Sequence, residues 1–315
     1  MKTLVTGAAG FIGSTICKRL IDEGHTVVGI DVLTDYYDVD IKRANLAQLT
    51  ASPSFKLIEQ DLNEVDFGAS IGEVEWIFHQ AGQPGVRRSW GNEFKVYTEA
   101  NISATQRLLE WARDVPNLKK FVYASSSSIY GDAETYPTKE SDRPQPLSPY
   151  GVSKLAAEHL CTLYANNFGL PTVSLRYFTV YGPGQRPDMA FTRFIKAAVT
   201  AGEIKIYGDG EQVRDFTYVD DVVEANIMAA AGDTPNGAVY NVAGGSNVSM
   251  NEVLDLIGSL SGTKLNITYT DAVAGDVRRT AGDTTRITES LGWAPKVTLE
   301  EGLKNHLAWG RLSFG

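Results

Sequence analysis

Leu4-Val5-Thr6-Gly7-Ala8-Ala9-Gly10-Phe11-Ile12-Gly13 opens the chain with three glycines, spaced three apart, between a β-rich run and a helical one. Residues 2–6 read as a strand, residues 14–23 carry the apolar spacing of a helix, and Gly24 is its stop signal. In that order the glycines have distinct tasks. Gly7 permits the tight turn, Gly10 lets the backbone approach a pyrophosphate, and Gly13 allows close packing. The helix N-terminus at Phe11 and Ile12 presents N–H groups and a positive dipole end. Residues 26–30 form a second strand, and Asp31 ends it at the distance where a carboxylate accepts from a ribose 2′-hydroxyl. No basic residue follows Asp31 at once, which favours NAD over NADP as the cofactor.

A second motif lies far along the chain. In Ser148-Pro149-Tyr150-Gly151-Val152-Ser153-Lys154, continued by Leu155-Ala156-Ala157-Glu158, Tyr150 and Lys154 are four residues apart on a predicted helix and share one face. A free phenol, with a pKa of about 10, is a poor base at neutral pH. Bringing it to about 7 takes roughly 4 kcal/mol of preferential stabilisation of the phenolate. A neighbouring ammonium supplies part of that.

The remainder of the chain alternates strand-like and helical runs, as a doubly wound parallel sheet does. Further strands are expected at 56–60, 76–79, 121–124 and 172–177, with helices at 101–113 and 151–168. From Gly182-Pro183-Gly184 the texture changes to turns, an amphipathic segment at 191–201, short strands around 204–207 and 216–219, and a helical end. The expected architecture is α/β, a Rossmann sheet with a smaller, interleaved C-terminal substrate lobe. Residues 1–178 would form the cofactor domain, with a return segment at about 213–243, and residues 179–315 mainly the substrate lobe. A net charge of −9 argues against nucleic acid and anionic membrane surfaces as partners. No apolar run is long enough to span a bilayer. Met1-Lys2 runs straight into the first strand without a signal peptide, and Cys17 and Cys161 read as isolated packed thiols. Together these point to a cytoplasmic protein.

These motifs occur in order with Asp61-Leu62, His79-Gln80-Ala81-Gly82, Asn101, Ser125-Ser126-Ser127-Ser128-Ile129-Tyr130-Gly131 and Arg214-Asp215-Phe216-Thr217-Tyr218-Val219-Asp220-Asp221-Val222. Over essentially its whole length the chain resembles the extended short-chain dehydrogenase/reductase family, in its nucleotide-sugar epimerase and dehydratase branch. Asp35-Tyr36-Tyr37-Asp38, Gly85-Val86-Arg87-Arg88-Ser89-Trp90 and Thr179-Val180-Tyr181-Gly182-Pro183 through Arg186-Pro187-Asp188-Met189-Ala190 are similar to the UDP-glucuronate 4-epimerase group. The resemblance implies NAD as cofactor, a UDP-sugar as substrate and a homodimer joined through a four-helix bundle. It places Asp61 and Leu62 at the adenine, Ala81, Gly82 and Asn101 along the cofactor, and Tyr177 near the nicotinamide. Tyr150 would take the 4-hydroxyl proton while hydride leaves C4 for NAD, Lys154 would hold the phenolate, and Ser126 would hydrogen-bond the reacting oxygen.

The resemblance carries less detail toward the substrate. Tyr207 is expected to stack on uracil, Phe191 to line the same pocket, Arg214 to contact the diphosphate, Asp276 to reach a ribose hydroxyl and Arg278 to add a phosphate contact. Ser127, Ser128, Thr179, Arg186 and Met189 are expected around the sugar, the first four at a uronate carboxylate. Thr179 stands where many neutral-hexose epimerases carry Asn, and Ser127 and Ser128 stand where dehydratases and decarboxylases place an acid. That departure favours simple epimerisation. UDP-glucose 4-epimerisation, a decarboxylase or dehydratase, and a non-catalytic NAD-binding sensor are the competing readings. His79 is read as structural, the histidines show no metal-ligand spacing, no metal is expected, and Tyr36-Tyr37 reads as a loop anchor.

Overall fold

The computed structural model describes residues 1–271 and 277–315. Six strands expected from sequence are present: β1 (Lys2–Thr6), β2 (Thr26–Asp31), β3 (Phe55–Glu59), β4 (Trp76–His79), β5 (Lys120–Ser126) and β6 (Thr172–Tyr177). After the short strands β7 (Thr179–Tyr181), β8 (Glu203–Tyr207), β9 (Val213–Arg214) and β10 (Phe216–Tyr218), the chain returns to the sheet as β11 (Ala238–Val242). The parallel order is β3-β2-β1-β4-β5-β6-β11. Chain order reverses between β1 and β4, the point at which sheets of this type open a ligand crevice at their carboxyl ends.

Strand alternation explains why the strands read as continuous apolar runs. Val5, Val27, Phe78 and Val122 enter one core, beneath the helices Phe11–Asp22 and Val219–Ala231. Their neighbours Leu4, Val28, Ile77 and Phe121 enter the other, with Leu108, Leu109, Ala157 and Cys161. Both sheet faces are therefore covered and no polar alternation survives.

Two helix starts differ from the sequence reading. The helix that carries Tyr150 and Lys154 runs Pro149–Phe168, because Ser148 caps it through Gly151 N–H (3.1 Å) and Pro149 suits the first turn. Tyr150 therefore lies in the first turn, at the mouth of the crevice. The helix expected over 101–113 is a π-helical turn, Thr98–Ser103, followed by Ala104–Ala112. Wider turns of this kind recur at functional sites and are invisible to apolar periodicity.

The remaining strands β12 (Val248–Ser249) and β13 (Asn266–Thr270) pair with β9 and β8, and β7 pairs with β10. Two motif carboxylates hold this region together. Asp215 accepts from Gly245 and Gly282 N–H (2.8 and 3.1 Å), and Asp221 from Lys296 and Val297 N–H (3.0 and 3.1 Å).

Candidate active site

The carboxyl ends of the strands open into a cleft of about 580 Å³. At its floor Gly7 has φ +69°, and a Cβ there would stand 2.8 Å from Ala81 N. A Cβ on Gly13 would stand 2.0 Å from Gly7 O, so both close approaches demand glycine. The helix Phe11–Asp22 begins with no side-chain cap and no acidic residue in its first turn. Its first amides remain available to an anion. At the far end of the wall Asp31 accepts from Ala9 N–H (3.0 Å) and Leu33 N–H (2.9 Å). Asp61 Oδ1 accepts from the Asn63 amides (2.8 and 3.1 Å), while Oδ2 makes no hydrogen bond among the described residues.

His79 supports this wall from below. It is fully buried, bonded to Thr6 Oγ1 (2.7 Å) and Thr105 Oγ1 (2.9 Å), and burial drives its pKa down to about 3. The ring is thus neutral. Thr6 Oγ1 in turn accepts from Ala81 N–H (3.1 Å), so the chain of bonds ends at the loop expected beside the pyrophosphate. Asn101 Oδ1 accepts from Gln83 N–H (2.6 Å), and its Nδ2 donates to Gln83 O (3.1 Å) and Ser153 Oγ (2.9 Å). The amide ties the loop after β4 to the Tyr150 helix.

Tyr150, Lys154 and Ser126 meet at the other end of the cleft. Burial raises the Tyr150 pKa, while a hydrogen bond with Ser126 and the Arg186 charge pull it down. Lys154 is lowered by burial to about 8. Its ammonium lies 4.5 Å from the centre of the Tyr123 ring and makes no hydrogen bond among the described residues. A buried cation with open donors on a cleft wall suits the hydroxyls of a ribose. This wall therefore fits a dinucleotide, with its pyrophosphate at Gly7 to Gly13, one ribose at Asp31 and the other at Lys154. Ser127, Ser128, Thr179, Arg186 and Met189 line the same end. Arg186 is held by Asp188 through Nε (3.0 Å) and Nη2 (2.9 Å), and its Nη1 makes no hydrogen bond among the described residues.

Residues 3–243 match the model of the NAD dependent epimerase/dehydratase family. The chain belongs to that family. An uncharacterised UDP-glucose epimerase of Bacillus subtilis (strain 168) is 42% identical over 310 residues, 98% of each chain. A UDP-glucuronate 4-epimerase of Thermodesulfobacterium geofontis (strain OPF15) is 39% identical over 313 residues, covering 98% of this chain and 95% of that one. The crystal structure of UDP-glucuronic acid 4-epimerase from Bacillus cereus, in complex with UDP-glucuronic acid and NAD, superposes with a TM-score of 0.96. It is 39% identical and covers 99% of this chain and 100% of its own.

Within this epimerase-family fold, not every residue expected at the substrate lines the cleft. Phe191 is buried against Tyr181 (5.1 Å between ring centres) and Phe216 (4.4 Å), so its ring belongs to the core rather than to a nucleotide pocket. The helix Ala190–Thr200 turns that side inward because its apolar face covers the lobe's core. Tyr207 carries the Arg87 guanidinium 4.2 Å over its ring. Arg214 donates to Val213 O (2.9 Å), and Arg278 is ion-paired with Asp209 (2.7 Å) while 64% exposed. Asp276 lies outside the described residues. Tyr36 and Tyr37, read as a loop anchor, instead line the cleft, with Arg88 and Arg186 over Tyr36 (5.0 and 5.8 Å). Sequence reasoning missed Lys42. It donates to Thr34 O (2.6 Å) and Oγ1 (3.0 Å) beside the Asp31 end. It lies in the helix Val39–Thr50, and no motif in the sequence marked it.

Proposed function

We propose that the protein interconverts UDP-glucuronate and UDP-galacturonate by NAD-dependent 4-epimerisation, with Tyr150, Lys154 and Ser126 as the reacting groups. Residues 1–178, with about 213–243, would hold the cofactor, and most of 179–315 the UDP-sugar. Tyr150 takes the proton of the sugar 4-hydroxyl and later returns it, Lys154 stabilises the phenolate by its charge, and Ser126 hydrogen-bonds the reacting oxygen. NAD, held along Gly7 to Gly13, Asp31 and Lys154, would supply the acceptor for the C4 hydride and the donor for its return to the opposite face of the sugar. Tyr207, Arg214 and Arg278 remain the proposed nucleotide contacts. The enzyme would work as a cytoplasmic homodimer.

The observation that carries the uronate reading is the grouping of Ser127, Ser128, Thr179 and Arg186 on the wall beside Tyr150. Hydroxyl donors and a guanidinium suit a carboxylate. The 4-keto form of a uronate is a β-keto acid, so the same contacts must hold the carboxylate out of alignment with the carbonyl π system, or carbon dioxide is lost. UDP-glucose is the second reading, favoured by the Bacillus subtilis relative. NMR of the products from each sugar nucleotide, incubated separately with purified protein, separates the two. Preference for UDP-glucose overturns the uronate reading, and carbon dioxide release points to decarboxylation.

A further inference from the structure

A buried charged network lies behind the Tyr150 and Lys154 side chains. Tyr150, Lys154 and Glu158 follow one another at intervals of four along the helix Pro149–Phe168, on one face. Glu158 is 2% exposed. Its Oε1 accepts from Arg176 Nη2 (2.7 Å), and its Oε2 from both Arg176 Nε (3.0 Å) and Ser125 Oγ (2.6 Å). Arg176, equally buried, donates through Nη1 to the Tyr130 hydroxyl (2.6 Å) and to Glu140 O (3.2 Å). Three elements meet at one carboxylate: the catalytic helix, the end of β5 where Ser125 precedes Ser126, and the end of β6 where Arg176 precedes Tyr177. A buried ion pair seldom adds net stability over apolar packing of the same volume, because desolvation offsets the attraction. Its location therefore needs another account.

The charges around Lys154 supply one. From its own helix Cys161 and Glu158 act on it, with Tyr150 one turn before; from β5 Tyr123 faces it, from β4 His79, and from β6 Arg176 behind Glu158. Burial pushes Cys161 and Tyr123 far up, so both stay protonated, and His79 is neutral. Glu158 is left as the standing negative charge among these groups. It pushes the lysine pKa up against burial.

We infer that Glu158 is a positioning residue for the reaction: clamped by Arg176 and Ser125, it fixes the Ser126 end of β5 against the helix of Tyr150 and Lys154 and sets a carboxylate one helical turn from Lys154. The inference rests on the reading of Tyr150 and Lys154 as the reacting pair. Without the Glu158 charge, Lys154 loses its proton at lower pH. The alkaline limb of the pH profile of kcat then moves to lower pH. A loss of packing alone lowers kcat and leaves that limb in place.

The test uses NAD-loaded protein and whichever of UDP-glucuronate and UDP-glucose the wild type turns over faster. Glu158→Gln removes the charge but strands the Arg176 guanidinium, which can prevent folding. The double variant Glu158→Gln, Arg176→Gln removes both charges and decides the matter if the single variant fails to fold. Ser125→Ala cuts one bond and keeps the ion pair. Glu158→Gln is expected to retain NAD, to lose about tenfold or more in kcat near neutral pH, and to move the alkaline limb down by about one pH unit, the low end for an opposite charge at close range. The double variant should move it the same way by less, because the Arg176 cation is removed as well. Ser125→Ala should lower kcat with an unmoved limb, and Glu158→Asp should restore the limb. Charge variants with a wild-type alkaline limb overturn the inference, whatever their kcat. Tyr150→Phe, assayed alongside, separates the two levels. Near-normal turnover in Tyr150→Phe removes the reacting pair itself, whereas an inactive Tyr150→Phe with a wild-type alkaline limb in the Glu158 variants removes this inference alone.

Discussion

Tyr150 shows how far environment must act on a single residue. Burial alone moves its phenol the wrong way for a base, so its function depends on positive charge brought within reach. Arg186 is the cation that pulls its pKa down in the structure, and Lys154, one helical turn along, is the proposed second source. Tyr150→Phe should keep the fold and bound NAD and lose at least about a hundredfold in turnover, the lower range for a general base. Steady-state kinetics with a measured NAD content per chain checks this. Asp31 makes the corresponding prediction for the cofactor. Asp31→Ser should weaken NAD by about ten- to a hundredfold, the worth of a charge-assisted hydrogen bond. It should also improve NADP relative to NAD, because a 2′-phosphate then meets Lys42 rather than a carboxylate. An unchanged preference in paired titrations would show that Asp31 does not read the ribose. Arg186→Ala should reduce turnover of UDP-glucuronate much more than that of UDP-glucose. Equal losses would assign it to the nucleotide or the fold.

Among the elements, β1 and β4 are joined by a histidine that takes up no proton near neutral pH and gains one in acid only when the chain unfolds. The pKa of His79, and that of His306 in the helix Leu299–Phe314, is driven by burial to about 3. In the unfolded chain both titrate near 6.5. Between those values the unfolded state binds more protons. The stability they allow is whole above about 6.5 and falls as pH drops toward 3, by about 1.4 kcal/mol per pH unit for each histidine. Denaturant titrations from pH 7 to pH 4 should show that slope, and His79→Gln should flatten it while being less stable at pH 7. An identical slope in the variant would place the acid lability elsewhere. The motif around β4 announced His79 as structural, since a histidine ending a buried apolar run has few other places to go. The π-helical turn that delivers Asn101 to Gln83 had no such signature. The side-chain amide of Asn101 bonds to a loop eighteen positions away in sequence, and apolar periodicity does not carry that pairing.

For the whole molecule, the helix Pro149–Phe168 leaves Val152, Leu163 and Phe168 at 46, 53 and 54% exposure, beside a shallow groove at Ala156, His159 and Leu160. An apolar outer face on a helix that already buries its inner one is the expected seat of the four-helix dimer contact. Sedimentation should give twice the 34.3 kDa chain mass for the wild type, and Leu163→Glu should shift it toward the monomer. A wild-type monomer at all concentrations would remove the dimer proposal.

What the sequence determined by itself was local: a glycine spacing that only one turn geometry satisfies, apolar runs that only a sheet covered on both faces can bury, and a tyrosine and lysine set four apart on a helix. Each depends on neighbours within a few residues, and such patterns survive in one dimension. Tertiary structure alone decided which side chains share a wall. It turned Phe191 into the core, brought Tyr36, Tyr37 and Lys42 to the cleft, and stacked Arg87 on Tyr207. It also joined Glu158 to Arg176 and Ser125 behind Tyr150 and Lys154. Those meetings link residues from separate strands and helices, whose facing directions are set by packing, and no spacing within one segment encodes them.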